Sequence, residues 1–292
     1  MTEPVIILIF THKPRLEWFE EIALEQCFRI LGRHPIRMVC PEGLNIEAYR
    51  EIVPALEPDF IAPKWFSGRL NYNRLKILPL LYRRYSHYEY MLTYELDAFV
   101  FRDELLDWCA KGLDYIGAPW FEGFDRAKPD APLLGVGNSG FSLRRIQGMT
   151  AVHKTWRNIR PPVDIIREIS ASGRSNLGKV AAIAKWLTFN NFHPPFTPAN
   201  SNMTSSLRIH DDCFWCLDVP RRFPEFKVAS MDDAKQFSFE VNPSRLYAEC
   251  GKRLPSGCHK WPWYEPEFWR EHIEAFGYRL PAQKSGKEAH AH

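Results

Sequence analysis

Residues 5–14 read V-I-I-L-I-F-T-H-K-P, an apolar run of β-branched and aromatic residues that a polar turn brings to an end. Such a run predicts a strand buried on both faces of a parallel sheet. Helical spacing follows over 16–31, and Gly32 closes that helix. Ile36–Cys40 is predicted as a second strand and 45–56 as a second helix. This βαβα opening is typical of a doubly wound α/β sheet.

The rest of the chain continues the alternation of strands and helices. A third helix is predicted at 70–85 and a third strand at Tyr88–Tyr94. The proline-containing stretch 158–206 is predicted to be an irregular insertion in one domain spanning 1–280, with a flexible tail at 281–292. Further elements are predicted as helices at 103–110, 144–157, 177–189, 207–218 and 265–276, as strands at Leu113–Ile116, Phe226–Ala229 and Phe237–Glu240, as a surface loop at 121–133, and as a glycine-rich turn followed by a strand at Gly135–Leu143.

Composition narrows the class of protein. Hydrophobic residues make up 45% of the chain, and the net charge of +3 comes without a run of basic residues, so no nucleic-acid partner is expected. The seven cysteines lack the paired spacing of a secreted scaffold, which predicts reduced thiols in a cytoplasmic protein. Cys213 and Cys216 form a C-x-x-C motif, but only Cys250, Cys258 and His259 could complete a zinc site, so two thiols on one helix face are favoured. No run is long enough to span a membrane, whereas attachment to a membrane surface stays open.

Two carboxylates follow the third predicted strand directly. Glu95 and Asp97 are two residues apart, the spacing that points side chains to one side of a strand. They lie at the carboxyl end of that strand, where open α/β sheets bind their ligands, and hard divalent cations prefer oxygen ligands. The apolar residues on either side imply a buried neighbourhood, in which charge needs a partner. The alternative is a cap of the next helix, a role that Asp103 already fills.

Three further polar stretches are candidates for a site. The small residues of Gly135–Gly140 would let backbone amides approach a ligand, with a tight β-turn as the alternative. A strand is predicted after them, whereas a dinucleotide fingerprint requires a helix. Asp211 and Asp212 begin an apolar helix, which they would either cap or provide with a general base. His259, in an aromatic turn, would be a metal ligand or only a packed ring.

Taken together, these stretches resemble the DUF5672 family of glycosyltransferase-like proteins over roughly residues 65–265. The resemblance implies a GT-A fold, in which one Rossmann-like domain binds a nucleotide-sugar and a divalent metal. The stretches that carry it are NYNRLK (71–76), YEYMLTYELDAFVFRDELLDWC (88–109), DYIGAPW (114–120), GVGNSGFSLRR (135–145), HDDCFW (210–215), FSFE (237–240) and GCHKW (257–261).

The resemblance also implies roles for individual residues. Asp97, last in the acidic motif, would be the direct ligand of Mn²⁺ or Mg²⁺, and His259 would complete the metal shell. Glu95 departs from the usual first residue of that motif, and its contact is expected either with the metal or with the nucleoside. Asp212 would be the base of an inverting transfer, and Asp211 stands where the family commonly has Glu.

Binding of the donor is expected to involve residues from several of these stretches. They are Thr11, His12 and Lys13 for the nucleoside, Asn73 as a further donor contact, Lys76 for the diphosphate, and Asn138, Ser139 and Gly140 for the donor sugar. The function so implied is metal-dependent transfer of a sugar from a nucleotide-sugar to a hydroxyl of a glycan or glycolipid, as in surface polysaccharide synthesis, with 158–206 on the acceptor side. The alternatives are a catalytically silent nucleotide-sugar-binding protein and another metal-dependent enzyme acting on nucleotide diphosphates.

Overall fold

A six-stranded sheet forms the centre of the fold in a computed structural model that describes residues 3–154, 162–188 and 210–281. In chain order the strands are β1 (Glu3–Phe10), β2 (Ile36–Pro41), β3 (Pro58–Ile61), β4 (Tyr88–Glu95), β5 (Phe99–Val100), β6 (Tyr115–Ile116), β7 (Ala118–Phe121), β8 (Leu133–Gly137), β9 (Phe141–Arg145), β10 (Ser238–Phe239) and β11 (Gly257–Cys258). The order across the central sheet is β3, β2, β1, β4, β9 and β6.

Helices flank this sheet on both faces. They are α1 (Trp18–Leu31), α2 (Glu47–Ile52), α3 (Arg69–Ile77), α4 (Pro79–Arg84), α5 (Leu105–Ala110), α6 (Ile146–His153), α7 (Pro162–Ala171), α8 (Asn176–Thr188), α9 (Asp211–Cys213), α10 (Val219–Arg222), α11 (Met231–Phe237), α12 (Pro243–Glu249) and α13 (Pro266–Glu274). A π-helical turn, Phe214–Asp218, joins α9 to α10. Within the described ranges, no helix has the length and apolar character needed to cross a bilayer.

The direction of the strands confirms the predicted GT-A type of fold, a Rossmann-like and mostly parallel doubly wound sheet. β1 is parallel to both β2 and β4, and β2 is parallel to β3. β9 is antiparallel to β4 and to β6. The carboxyl ends of β1 and β4 therefore meet at one edge, with Phe10 opposite Glu95.

Alternate side chains of β1 enter two different hydrophobic cores, as expected for a strand covered on both faces. One core holds side chains of α1, α2 and α5, and the other holds side chains of α3, α4 and α6. The β1 residues of the first core are Val5, Ile7 and Ile9, and those of the second are Ile6, Leu8 and Phe10.

The predicted helix at 70–85 is wrong in one respect, because it is divided into α3 and α4. Leu78 between them has extended backbone, with φ −73° and ψ 157°. Pro79 explains the break, since proline disfavours helical backbone at the residue before it and cannot donate a backbone hydrogen bond.

Other predicted boundaries also need correction. The strand at Phe226–Ala229 is wrong: in that stretch, Val228 makes an isolated bridge to Tyr115. Part of the predicted glycine-rich turn is strand β8, which pairs with β7. β3, α7, α11 and α12 were not predicted. β3 is a short strand, and α7 lies inside the stretch expected to be irregular. Residues 155–161, 189–209 and 282–292 lie outside the described residues, and with them most of the predicted tail and part of the insertion.

A small second sheet, in the order β10, β11, β5, attaches the C-terminal part of the chain to the end of β4. β11 pairs antiparallel with β5, so that Cys258 lies opposite Phe99. The residue after β11 is His259, and Asp97 precedes β5 by two residues. This pairing therefore brings a histidine from the end of the chain to the acidic motif.

The β7–β8 hairpin provides a test of the packing, because two glycines of β8 face Trp120 at different distances. A Cβ at Gly137 would lie 1.7 Å from the Trp120 ring, whereas a Cβ at Gly135 would lie 3.9 Å from it. We expect Gly137→Ala to lower the free energy of unfolding by about 1–3 kcal/mol, as overpacking does. Gly135→Ala is the matched control and should change it by less than about 0.5 kcal/mol. Equal urea unfolding midpoints for the two variants would contradict this packing.

Candidate functional site

The candidate site lies at the carboxyl edge of the parallel strands. Glu95 is the last residue of β4, and Asp97 follows in the turn before β5. His259 joins them from β11, and its Nε2 lies 3.1 Å from Asp97 Oδ1 and 3.5 Å from Glu95 Oε2. One ligand atom from each of the three side chains lies within 4.8 Å of the others. Among the described residues, this is the one group of His, Cys, Asp or Glu side chains arranged to share a metal ion.

A third carboxylate, that of Glu240, fixes the orientation of the His259 ring. Glu240 Oε1 lies 3.1 Å from His259 Nδ1 and 3.2 Å from Lys260 Nζ. Burial would raise the pKa of Glu240, but Lys260 and His259 lower it to about 2. An ionised Glu240 accepts a hydrogen bond from Nδ1–H, so Nε2 is the ring nitrogen that faces Asp97. This is the usual second contact of a metal-binding histidine.

The unpartnered atoms of this cluster fit a bound cation. Asp97 Oδ1 and His259 Nε2 are buried, and apart from the close contacts around Nε2 they have no hydrogen-bond partner within the described part of the chain. Burial would lower the pKa of His259, but the surrounding carboxylates, Asp97 foremost, raise it well above its ordinary value. The cluster therefore favours a positive charge between these atoms. Two carboxylates and one imidazole suit a divalent metal ion.

The second oxygen of Glu95 is held from α3. Lys76 Nζ donates to Glu95 Oε1, and the Tyr72 hydroxyl donates to the same oxygen at 2.8 Å. Burial would raise the pKa of Glu95, but Lys76 and then His259 hold it well below its ordinary value. Lys76 is fully buried and also donates to Ser139 Oγ at 2.9 Å. The ammonium of Lys76 is thus hydrogen-bonded to Glu95 and Ser139, and its predicted contact with a diphosphate stays a prediction.

The predicted turn at residues 138–140 packs against His259. Asn138 has a positive φ of 76°, and its Oδ1 accepts the backbone N–H of Gly140 at 2.8 Å. A Cβ at Gly140 would lie 2.0 Å from His259 Nε2, so only glycine fits there. The Asn138 Nδ2 group is buried without a partner among the described residues. The stretch is therefore a tight turn, and it also supplies a free donor beside the metal cluster.

The two acids of α9 have different environments. Asp211 is buried, and its Oδ2 accepts from Arg144 at 2.7 Å and from Ser139 Oγ at 3.1 Å. Its backbone N–H donates to Asn73 Oδ1 at 3.1 Å. Asp211 therefore anchors the start of α9, and Asn73 supports it there. The predicted catalytic role of Asp211 and the predicted donor contact of Asn73 stay predictions.

Asp212 is only half-buried and forms no ion pair within the described ranges. Its Oδ1 accepts the backbone N–H of Cys213 at 2.8 Å. Burial, and then the charge of Asp211, raise the pKa of Asp212 to about 6. A carboxyl group with that pKa can exchange a proton near neutral pH.

The three residues after β1 that are predicted to contact the nucleoside, Thr11, His12 and Lys13, differ in their surroundings. The Thr11 hydroxyl is buried in a 2.6 Å hydrogen bond with Tyr49, and Lys13 forms a 3.0 Å ion pair with Glu20. The exposed ring of His12 stacks on Phe66, with centroids 6.2 Å apart. Phe66 in turn lies 6.1 Å from the ring of Tyr72, which reaches Glu95. A line of rings therefore leads from His12 to the metal cluster.

Sequence reasoning missed Arg144, Glu240 and Lys260. Arg144 lies in the buried strand β9, and a guanidinium in an apolar strand signals a buried acidic partner. Glu240 and Lys260 had no such local signal, because their roles depend on contact with His259.

The seven cysteines are all free thiols, and Cys213 and Cys216 do not belong to the candidate metal cluster.

The chain belongs to the DUF5672 family, as predicted. The family model, described as a protein of unknown function, matches residues 55–259. No curated protein matches the sequence.

Several solved structures are similar in fold. Mouse xyloside xylosyltransferase 1 in its apo form is 13% identical, with 89% of this chain and 97% of that chain covered and a TM-score of 0.47. A glycosyltransferase involved in glycosylation of the major capsid of PBCV-1 is 12% identical, with 93% and 99% covered and a TM-score of 0.41. An active-site mutant of LgtC is 12% identical, with 94% and 97% covered and a TM-score of 0.46.

The buried pair of Arg144 and Asp211 generates a stability prediction. Arg144→Leu leaves the Asp211 carboxylate buried without its partner, which should lower the free energy of unfolding by about 3–5 kcal/mol. Replacing both residues by leucine should cost less than this single change, because no uncompensated charge remains. Arg50→Leu, at an exposed ion pair with Glu47, is the control and should cost less than about 1 kcal/mol. Guanidinium unfolding measures all three, and a double variant less stable than Arg144→Leu would refute the pairing.

Proposed function

We propose that this protein is a metal-dependent glycosyltransferase that moves a sugar from a nucleotide-sugar to a hydroxyl group of a glycan or glycolipid. The observation that carries the proposal is the cluster of Glu95, Asp97 and His259 at the carboxyl edge of the sheet. Open α/β sheets bind their ligands at this edge. We take 1–280 as one such domain, with the insertion at 158–206 on the acceptor side.

Asp97 and His259 would hold Mn²⁺ or Mg²⁺ directly, with Glu95 Oε2 beside them. When bound, the cation neutralises the charge that develops on a departing nucleoside diphosphate. Lys76 holds the side chain of Glu95, and Glu240 holds the ring of His259, each on the side away from the proposed metal. Carboxylates and imidazole arranged in advance need little reorganisation when the donor arrives.

The donor would lie along the edge from His12 to residues 138–140. The exposed His12 ring and Phe66 offer a stacking surface for the nucleobase. Asn138 Nδ2, buried and without a partner among the described residues, would donate to a hydroxyl of the donor sugar. Lys260 is a further candidate for the diphosphate besides Lys76, because its side chain is 38% exposed and it follows His259 in the chain.

Asp212 would take the proton from the acceptor hydroxyl. It is the more exposed of the two acids, and Asp211 keeps the start of α9 fixed through Arg144. With its pKa at about 6, Asp212 is ionised at neutral pH yet basic enough to accept a proton. A surface polysaccharide is the acceptor class we favour.

The metal role can be tested by thermal shift. In MnCl₂ with UDP or GDP, the Tm of the wild-type protein should rise by about 5 °C at a hundredfold excess over Kd, because ligand binding stabilises the folded state. Asp97→Ala and His259→Ala should lose this rise, whereas Asp125→Ala, at an exposed acid of the surface loop, should keep it. An unchanged rise in Asp97→Ala would contradict the metal site. Binding without any turnover of a nucleotide-sugar panel would instead identify a silent nucleotide-sugar-binding protein.

Asp212 can be tested by pH. Turnover should increase as pH rises through about 6 and then level off, and Asp212→Asn should lower it by about 10²–10⁴-fold while donor affinity is kept. The pKa of Asp212 is raised on folding, so the stability that its neutral form contributes is present below pH 4 and is lost as pH rises through 6. Asp212→Asn should therefore be more stable than wild type at pH 8, by up to about 3 kcal/mol, and no more stable at pH 4. A less stable variant at pH 8 would assign Asp212 a structural role.

A further inference from the structure

A cleft of about 490 Å³ opens beside the start of α1, outside the metal cluster. One wall comes from the first turns of α1 and the other from the chain that follows α13. Its lining residues are Trp18, Glu21, Ile22, Arg279, Leu280 and Pro281. The volume is that of an ordinary small-molecule site.

The indole of Trp18 is 41% exposed at this cleft. Its inner edge contacts Trp261 with centroids 5.6 Å apart, and Trp261 is fully buried two residues after His259. Phe19 joins Trp18 to Trp263, a second indole that is 50% exposed. The cleft is thus the outer end of an aromatic cluster whose inner end adjoins the metal site.

Two opposite charges line the cleft without pairing. Glu21 and Arg279 form no ion pair or side-chain hydrogen bond with each other or with any other described residue. Both planar groups are therefore available for bidentate hydrogen bonds. Because their charges cancel, the cleft offers no net attraction to a phosphate, and a neutral ligand rich in hydroxyl groups suits it best.

We propose that this cleft is a saccharide-binding subsite, in which a pyranose ring lies on Trp18 and its hydroxyl groups meet Glu21 and Arg279. A pyranose has an apolar face of C–H groups, which an aromatic ring covers, and an edge of vicinal hydroxyls, which planar carboxylate and guanidinium groups bind. The choice of a saccharide rests on the proposed function, since an acceptor glycan would extend from the transfer site. Trp263 offers a further stacking surface along the same cluster.

The experiment is saturation-transfer NMR of the full chain with maltotriose, cellotriose or N,N′,N″-triacetylchitotriose at up to about 10 mM. At least one trisaccharide should bind, with transfer strongest to the C–H protons of one ring face. Trp18→Ala should weaken that binding by about tenfold or more, and Glu21→Gln by about threefold. Phe60→Ala is the matched control, because Phe60 is a 40% exposed ring on β3, and it should leave binding unchanged. Circular dichroism melting of each variant identifies any loss of folding.

The proposal is overturned if none of the three trisaccharides binds, or if Trp18→Ala binds as well as wild type. Nucleotide binding with Mn²⁺ is measured on the same samples, and Trp18→Ala should retain it. Nucleotide binding without saccharide binding would contradict the saccharide subsite but not the proposed function. Saccharide binding without nucleotide binding would support the subsite and contradict the proposed transferase function.

Discussion

The confinement of His259 between carboxylates is the constraint on which the rest of the site depends. Glu240 holds Nδ1, and Asp97 faces Nε2 with Glu95 close by. A buried imidazole can keep this position only if the chain around it makes room and if the negative charges are balanced. Gly140 makes the room, since any Cβ there would collide with the ring.

Charge balance links this cluster to the acids of α9. Lys76 and Lys260 each pair with one of the carboxylates around His259. Lys76 also reaches Ser139, and the Ser139 hydroxyl donates to Asp211. Asp211 is held by Arg144 in turn, so one continuous polar network runs from the metal cluster to the start of α9. Hydrogen bonds in such a network strengthen one another. Asp211 is held within the network, whereas Asp212 has no ion-pair partner among the described residues.

The sequence predicted what local patterns encode. The buried run of β1 and the placement of Glu95 and Asp97 at a strand end follow from apolar runs that can be recognised along the chain. Glu240 and the pairing of β11 with β5 could not be found in this way, because two-residue strands carry no periodicity and their partners are distant in sequence. Pro79 itself signals the break between α3 and α4. The apolar residues keep a helical spacing on both sides of it, and for that reason a single helix was predicted.

The glutamate at position 95 is explained by its two contacts. Its Oε1 is held by Lys76 and Tyr72 on α3, while Oε2 remains 3.5 Å from His259. An aspartate is one methylene shorter, and from the same backbone it could not span both neighbours. The longer side chain thus bridges a buried ammonium and the candidate metal cluster. On this reasoning, the departure at position 95 preserves a carboxylate oxygen at the cluster and is no sign of a lost site.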